Sequence, residues 1–199
     1  MEEELISMVA ARRGHFRLES GHHGNLWLDL DRLLLRPGSL RPFARELAQR
    51  LSLRTLHAVC GPLTGGAFVA QLIAAELDVE FYYAERWAHP ERDDLYSVEY
   101  HIPEALRGAV HGKRVAIVDD AITMGSAVRG TFVDLEACGA QPVTIGALLL
   151  LGSSASDFAA SVNIPLERIV SLPSDSWAPS ACPLCASGTP LEHPTERRE

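Results

Sequence analysis

The chain has 199 residues, 47% of them hydrophobic and 22% charged, and a formal net charge of −8. That length suits one domain with a small appendage, and that balance is enough to build a core. The negative charge argues against nucleic acid or an anionic membrane as a partner, and the longest apolar runs, such as residues 145–151, fall far short of a membrane helix.

The opening Met1-Glu2-Glu3-Glu4 is acidic where a secretory signal is basic, so the expected setting is the cytoplasm. Residues 2–13 read as a helix with Leu5, Ile6 and Val9 on one face and Gly14 as its stop. Two short strands are expected over 15–20 and 26–30, joined by the glycine-bounded turn Gly21-His22-His23-Gly24-Asn25. A helix over 39–51, capped by Ser39, turns Leu40, Phe43, Leu47 and Leu51 inward. A strand over 56–60, a helix over 67–77 and an aromatic-rich strand over 79–84 follow. Residues 85–99 turn polar, with Pro90 and the run Glu91-Arg92-Asp93-Asp94, and read as a long loop or β-arm.

Strands at 115–118 and 143–151 flank a helix over 126–138, which Gly139 stops. A short helix over 157–161 and a last strand over 169–172 complete the pattern. From residue 39 onward strands alternate with helices, which indicates an α/β fold with a Rossmann-like parallel sheet covered on both faces. The expected organisation is an N-terminal hood over 1–35, a core over 36–173 and an irregular tail over 174–199. Cys60 and Cys138 lie in apolar elements and read as small core residues. Lys113 is the only lysine; arginine supplies the other 17 basic side chains.

The chemistry concentrates in Val115-Ala-Ile-Val-Asp119-Asp120-Ala121-Ile122-Thr123-Met124-Gly125-Ser126-Ala127. A buried strand leads to two carboxylates, then to a loop of small residues and a helix start. Ligands of open α/β sheets lie beyond the carboxyl ends of the strands, and a helix start favours a phosphate. Ionised carboxylates only accept hydrogen bonds, so Asp119 and Asp120 suit the vicinal hydroxyls of a sugar. The ligand implied is a sugar phosphate. A plain βα turn capped by an aspartate is the simpler alternative, but a cap needs no Thr, Gly and Ser in this order. A second loop, Gly61-Pro62-Leu63-Thr64-Gly65-Gly66, also stands between a strand and a helix, where glycines let a backbone approach an anion.

The run 115–127 resembles the phosphoribosyl-pyrophosphate (PRPP) motif of the type I phosphoribosyltransferases. That resemblance implies that Asp119 and Asp120 hold the ribose hydroxyls, that residues 121–127 wrap the 5-phosphate, and that residues 61–66 form the pyrophosphate loop. Ala127 departs from the usual Ser or Thr. Phe16-x-Leu18-x-Ser20-Gly21, with Trp27 and Asp29 beyond, resembles the hood of orotate phosphoribosyltransferases, and Phe81-x-Tyr83-x-Glu85-Arg86 the strand leading to their catalytic loop. The tail from Trp177 through Cys182-Pro-Leu-Cys185 to Leu191 is similar to the end of some bacterial members.

The expectation is therefore a Mg²⁺-dependent transfer from PRPP to a base, with orotate first in line, in a homodimer. The resemblance makes Arg86 the catalytic cation beside Asp119 and Asp120, and places the base against His22, His23 and Trp27. Several family positions differ. His22, His23 and Gly24 stand where a lysine follows the hood Ser-Gly, and Thr64 or Gly65 replaces the pyrophosphate-loop lysine. Trp87 and Pro90 replace lysines after Arg86, with His89 and Arg92 as other loop cations. Leu150-Leu151-Gly152-Ser153 lacks the arginine that meets the orotate carboxylate. Protonated His22 and His23 would restore part of the charge, with ordinary pKa values of about 6.5. A PRPP-binding sensor without turnover, or a transferase for another base, stays open. Cys182 and Cys185 have metal-ligand spacing, and zinc would want four ligands. His193 is a candidate third and no fourth is evident, so the pair reads as tail thiols.

Overall fold

The computed structural model describes residues 1–88 and 95–194. Its first element, α1 (Glu2–Met8), is shorter than the expected helix. Val9 turns extended (φ −108°, ψ 138°), and Ala10–Arg13 pair with Leu26–Asp29 in an antiparallel hairpin of β1 (Ala10–Arg17) and β2 (His23–Asp29). Helix propensity is a weak preference, and the cross-strand ladder overrides it here. A short α2 (Asp31–Leu34) leads to α3 (Pro37–Leu51), which Pro37 opens at a position where its missing N–H costs nothing.

The alternation then runs β3 (Ala58–Pro62), α4 (Gly65–Leu77), β4 (Glu80–Ala88), β5 (Val98–His101), α5 (Glu104–Val110), β6 (Arg114–Ile122), α6 (Ser126–Ala137), β7 (Gln141–Leu151), α7 (Ser154–Ser161) and β8 (Leu166–Leu172). The strands form one sheet in the order β5-β4-β3-β6-β7-β8, parallel except where β5 returns along β4. Both faces are covered, as the alternation requires. Phe43 and Leu47 of α3 and Val69 and Ile73 of α4 pack with Ala116 and Val118 on one face. Val128 and Leu135 of α6 and Phe158 of α7 pack with Val115 and Ile117 on the other. Successive β6 residues thus serve opposite layers, the period of two that a strand imposes. Cys60 and Cys138 belong to the second layer, as their apolar neighbours suggested.

The polar stretch after Ala84 is an arm. β4 continues to Ala88, and Glu85 and Trp87 face His101 and Glu99 of β5. His89, Pro90 and the run Glu91-Arg92-Asp93-Asp94 lie outside the described residues.

The tail differs from the expected irregular segment. β9 (Ser176–Trp177) pairs with His23 and Gly24 and makes the hairpin a three-stranded sheet. A 3₁₀ turn at Pro179–Ala181 and the short α8 (Pro183–Ala186) follow. Glu192 then runs beside β1, donating to His15 O at 2.8 Å and accepting from the Arg17 N–H at 2.9 Å. A lone hairpin is marginal in water, so strand addition from the far end of the chain supports the hood where its own sequence is too short to build a core. Among the described residues, no helix is long and apolar enough to cross a membrane.

Candidate active site

β3 and β6 are neighbours, but the chain leaves β3 for β4 on one side, whereas β6 is followed by β7 on the other. Such a reversal of strand order opens a crevice beyond the carboxyl ends of the two strands. The β3–β6 register ends at Cys60–Ile117, after which β6 runs on to Ile122. Asp119 and Asp120 therefore lie within the strand, at the point where β3 turns away.

Gly61 and Pro62 end β3, Leu63 and Thr64 cross the crevice, and Gly65 and Gly66 open α4. The Leu63–Thr64 peptide is cis. A Cβ on Gly66 would sit 2.5 Å from Asp119 Oδ1, and one on Gly65 would overlap the Asp120 carboxylate. Glycine is what lets this loop close onto the acidic pair. Across the crevice, Thr123 and Met124 lead to Gly125, whose φ of 76° most residues avoid, and Ser126 begins α6. Two helices thus start at one crevice, each with N–H groups that lack intrahelical partners and a partial positive charge.

The resulting cleft has a volume of about 270 Å³ and is lined by Leu18, Glu19, Ser20 and Trp27 of the hood, by Pro62–Gly65, by Tyr100 and by every residue from Asp119 to Ala127. A larger cleft of about 1040 Å³ adjoins it under the hood and shares Trp27, Thr64, Gly65 and Asp120. Gly61 and Gly66 stand behind the first wall, backbone against backbone.

The acidic pair is buried, with 8% of each residue exposed. The Asp120 N–H donates to Asp119 Oδ1 at 3.0 Å and the Ala121 N–H to Asp120 Oδ1 at 2.8 Å. Burial raises both carboxyls above the usual range, and the neighbouring charge of Asp120 raises Asp119 further. Among the described residues no cation is paired with either, and Arg12 is the one Arg or Lys in the two cleft walls. Two buried carboxylates with no cation paired to them, facing a crevice between two helix starts, fit a hard divalent cation that arrives with a phosphorylated ligand, since Mg²⁺ binds through one or two carboxylates plus phosphate oxygens.

Arg86 stands at the rim. Its Nε donates to Glu19 Oε2 at 2.8 Å, and the Tyr100 hydroxyl donates to Glu19 Oε1 at 2.8 Å. Glu19 and Tyr100 line the cleft, whereas Arg86 is drawn towards the hood. Sequence reasoning left Glu19 unassigned between Leu18 and Ser20, and it counted Tyr100 with Trp87 and Tyr96 among the arm aromatics that meet a partner, whereas Tyr100 is buried within its own chain. It also passed over Arg129. That guanidinium lies 4.4 Å from the centre of the Phe158 ring and donates to Met124 O at 3.4 Å, bracing the loop before Ser126 from behind.

His22 and His23 are not brought together as a base-binding pair. His22 Nδ1 lies 3.1 Å from Ser20 Oγ, with the ring against Tyr96 at 5.4 Å between centres. His23 begins β2 and turns the other way, its Nδ1 3.0 Å from His15 Nε2. Neither lines the two clefts, and burial lowers the pKa of each, which works against the protonated pair that would restore part of the lost lysine charge. Trp27 does line both clefts. Cys182 and Cys185 face His15 and His23, and His193 is not one of that group of four.

Residues 43–164 match the family model of the phosphoribosyl transferase domain. The chain is 29% identical to an orotate phosphoribosyltransferase of Caldanaerobacter subterraneus subsp. tengcongensis, with 100% of both chains covered. Among solved structures, an orotate phosphoribosyltransferase from Aeropyrum pernix has 27% identity and a TM-score of 0.60, over 82% of this chain and 88% of that one. An adenine phosphoribosyl transferase from Trypanosoma brucei has 16% identity and a TM-score of 0.67, over 85% of this chain and 78% of that one.

Proposed function

The chain belongs to the phosphoribosyl transferase domain family, and from that premise we propose that it moves the phosphoribosyl group of PRPP onto orotate and releases pyrophosphate. One observation carries the reading: the whole run from Asp119 to Ala127 lines a single cleft whose opposite wall is the glycine loop Pro62–Gly65. Asp119 and Asp120 accept hydrogen bonds from the ribose hydroxyls. The backbone of residues 121–127 holds the 5-phosphate at the start of α6, and residues 61–66 hold the pyrophosphate at the start of α4.

In this reaction the bond from C1 to the pyrophosphate oxygen breaks and a ring nitrogen of the base forms the new bond to C1. Positive charge develops on the sugar and negative charge on the leaving group, so the protein contributes positioning and electrostatics. Asp119 and Asp120 would hold Mg²⁺ together with PRPP, and the ion would supply neutralisation of the pyrophosphate charge. Arg86 is the cation at the base of the arm; exchanging Glu19 for the pyrophosphate would place it on the leaving group. Trp27 offers a flat apolar wall to the base. Orotate is favoured by the full-length relatives named for it, and by the hood residues Phe16, Leu18, Ser20 and Gly21.

The same reading makes the active unit a homodimer in which the arm after Arg86 covers the partner's site. Trp87 and Tyr96, both exposed on that arm, give it the aromatic content of an interface segment. It also sets the enzyme in the cytoplasm, where its four free cysteines would stay reduced.

A second reading, a PRPP sensor without turnover, is favoured by the scarcity of cations in the cleft walls. Pyrophosphate release measured with Mg²⁺, PRPP and a panel of bases separates the two. The enzyme releases pyrophosphate with orotate and not without a base; a sensor binds PRPP and releases none with any base.

A further inference from the structure

In the hood, apart from the residues that line the two clefts, four residues from three segments converge. His15 comes from β1, His23 from β2, Cys182 from the cap of α8 and Cys185 from within it. Their ligand atoms all lie within 4.8 Å of one another. His15 Nε2 is 3.0 Å from His23 Nδ1, 3.4 Å from Cys182 Sγ and 3.7 Å from Cys185 Sγ, and His23 Nδ1 is 3.2 Å from Cys185 Sγ. A tetrahedron of sulfur at about 2.3 Å and nitrogen at about 2.0–2.1 Å from a central ion has edges of roughly 3.3–3.8 Å. Two of the four spacings fall within that range and two lie 0.1–0.3 Å below it.

The tautomers suit the same end. His15 Nδ1 lies 2.8 Å from Thr189 O, a carbonyl that can only accept, so Nδ1 carries the proton and Nε2 presents its lone pair to the group. A metal-bound histidine whose other nitrogen donates to a backbone carbonyl is the usual arrangement around such an ion. His15, His23 and Cys182 are buried, with exposures of 1%, 7% and 4%. Two thiols and two imidazoles can hydrogen-bond only pairwise, through one proton at a time, whereas a tetrahedral ion takes a lone pair from each of the four. One ion would satisfy all four.

We propose that His15, His23, Cys182 and Cys185 bind one structural Zn²⁺ ion that clasps the carboxyl-terminal tail to the hood. The donor set is the tetrahedral two-sulfur, two-nitrogen set that zinc favours, and all four positions are filled by protein, which marks a structural rather than a catalytic site. Binding displaces the two thiol protons to solvent and needs no redox step. The hood and the tail touch otherwise through a two-residue strand, hydrogen bonds between Asn25 and Asp175, backbone bonds at Glu192 and an exposed Arg12–Glu192 ion pair. An ion across that seam would hold Leu18, Glu19 and Trp27 in the cleft wall. The inference is independent of which base the crevice accepts.

The test is metal analysis of the full-length protein purified under reducing conditions. The expected result is about one zinc per protomer, lost from Cys182→Ser and from His15→Gln and retained in Cys138→Ala, whose sulfur lies in the core behind α6. Since a ligand variant can fail to fold, wild-type protein stripped with a chelator is also titrated with Co²⁺. Thiolate-to-cobalt charge-transfer absorption saturating at one equivalent, with a raised Tm on adding Zn²⁺, supports the site. Zinc retained at wild-type level in folded Cys182→Ser would overturn it. So would stripped protein that gives no thiolate–cobalt band, or a Cys182–Cys185 disulfide in protein freshly isolated under reducing conditions.

Discussion

Arg86 Nε donates to Glu19 Oε2 at 2.8 Å, tying the base of the arm to the hood beside the cleft. The pair is half exposed, so it is a weak tether that a pyrophosphate group can displace. Arg86→Ala is expected to lower the rate of pyrophosphate release by about 10²-fold or more, the usual cost of removing one group aimed at developing charge. The affinity for PRPP should change much less. Arg86→Lys should recover only part of the rate, because an ammonium cannot make the same forked contact. Steady-state kinetics that separate kcat from KM check both variants.

Replacing Asp119 and Asp120 together by Asn should abolish Mg-PRPP binding and leave the fold intact. The stability change has a defined sign. Both carboxyls titrate above their ordinary values because burial disfavours their charge. Their contribution to stability is present below the unfolded value of about 3.9 and is lost as the pH rises through the higher folded values. The Asn pair should therefore match or exceed the wild-type Tm in the absence of ligand, with the greater advantage at about pH 8 than at about pH 5. Thermal melts at the two pH values, paired with calorimetry of PRPP binding, give both readings.

Gly65→Ala should damage the site without replacing a catalytic side chain. Its Cβ would overlap the Asp120 carboxylate, and the loop would have to retreat from the acidic pair. Overpacking of this kind costs about 1–3 kcal/mol, so PRPP affinity should fall by roughly tenfold or more. Gly108→Ala, where a Cβ meets nothing within 4 Å, is the control and should bind PRPP like the wild type.

Away from the site, His101 lies 3.2 Å from Asp134 and 3.2 Å from Glu99. The hydrogen bond to Asp134 raises its pKa, against the opposing effect of burial. A raised histidine stabilises fully below its unfolded value of about 6.5 and loses that effect as the pH climbs through the folded value. His101→Gln should thus lower Tm more at about pH 6 than at about pH 9. The imidazole is partly exposed, so the difference should be small, about 1–3 °C.

The PRPP motif was legible because it is local: strand, acidic pair, small-residue loop and helix start are consecutive, and the fold places all of Asp119 to Ala127 on one wall. The alternating elements of the core were legible for the same reason, since each period sits within its own segment. What escaped the sequence was pairing at a distance. The end of α1 at Met8 depends on Ala10–Arg13 finding Leu26–Asp29, which no local propensity announces. Glu19 gains its role only from Arg86 and Tyr100, far along the chain. Cys182 and Cys185 lacked visible co-ligands because His15 and His23 lie at the opposite end of the sequence. His22 and His23, expected together at the base site, lie apart because His22 stays in the turn on Ser20 whereas His23 opens β2 and meets His15.

Phosphoribosyl transfer to orotate is checked by product analysis after incubating the protein with Mg²⁺, PRPP and orotate. Equimolar pyrophosphate and orotidine 5′-phosphate are expected, with no product when Mg²⁺ is omitted or when Asp119 and Asp120 are both Asn. Protein that binds PRPP yet forms no orotidine 5′-phosphate would contradict it.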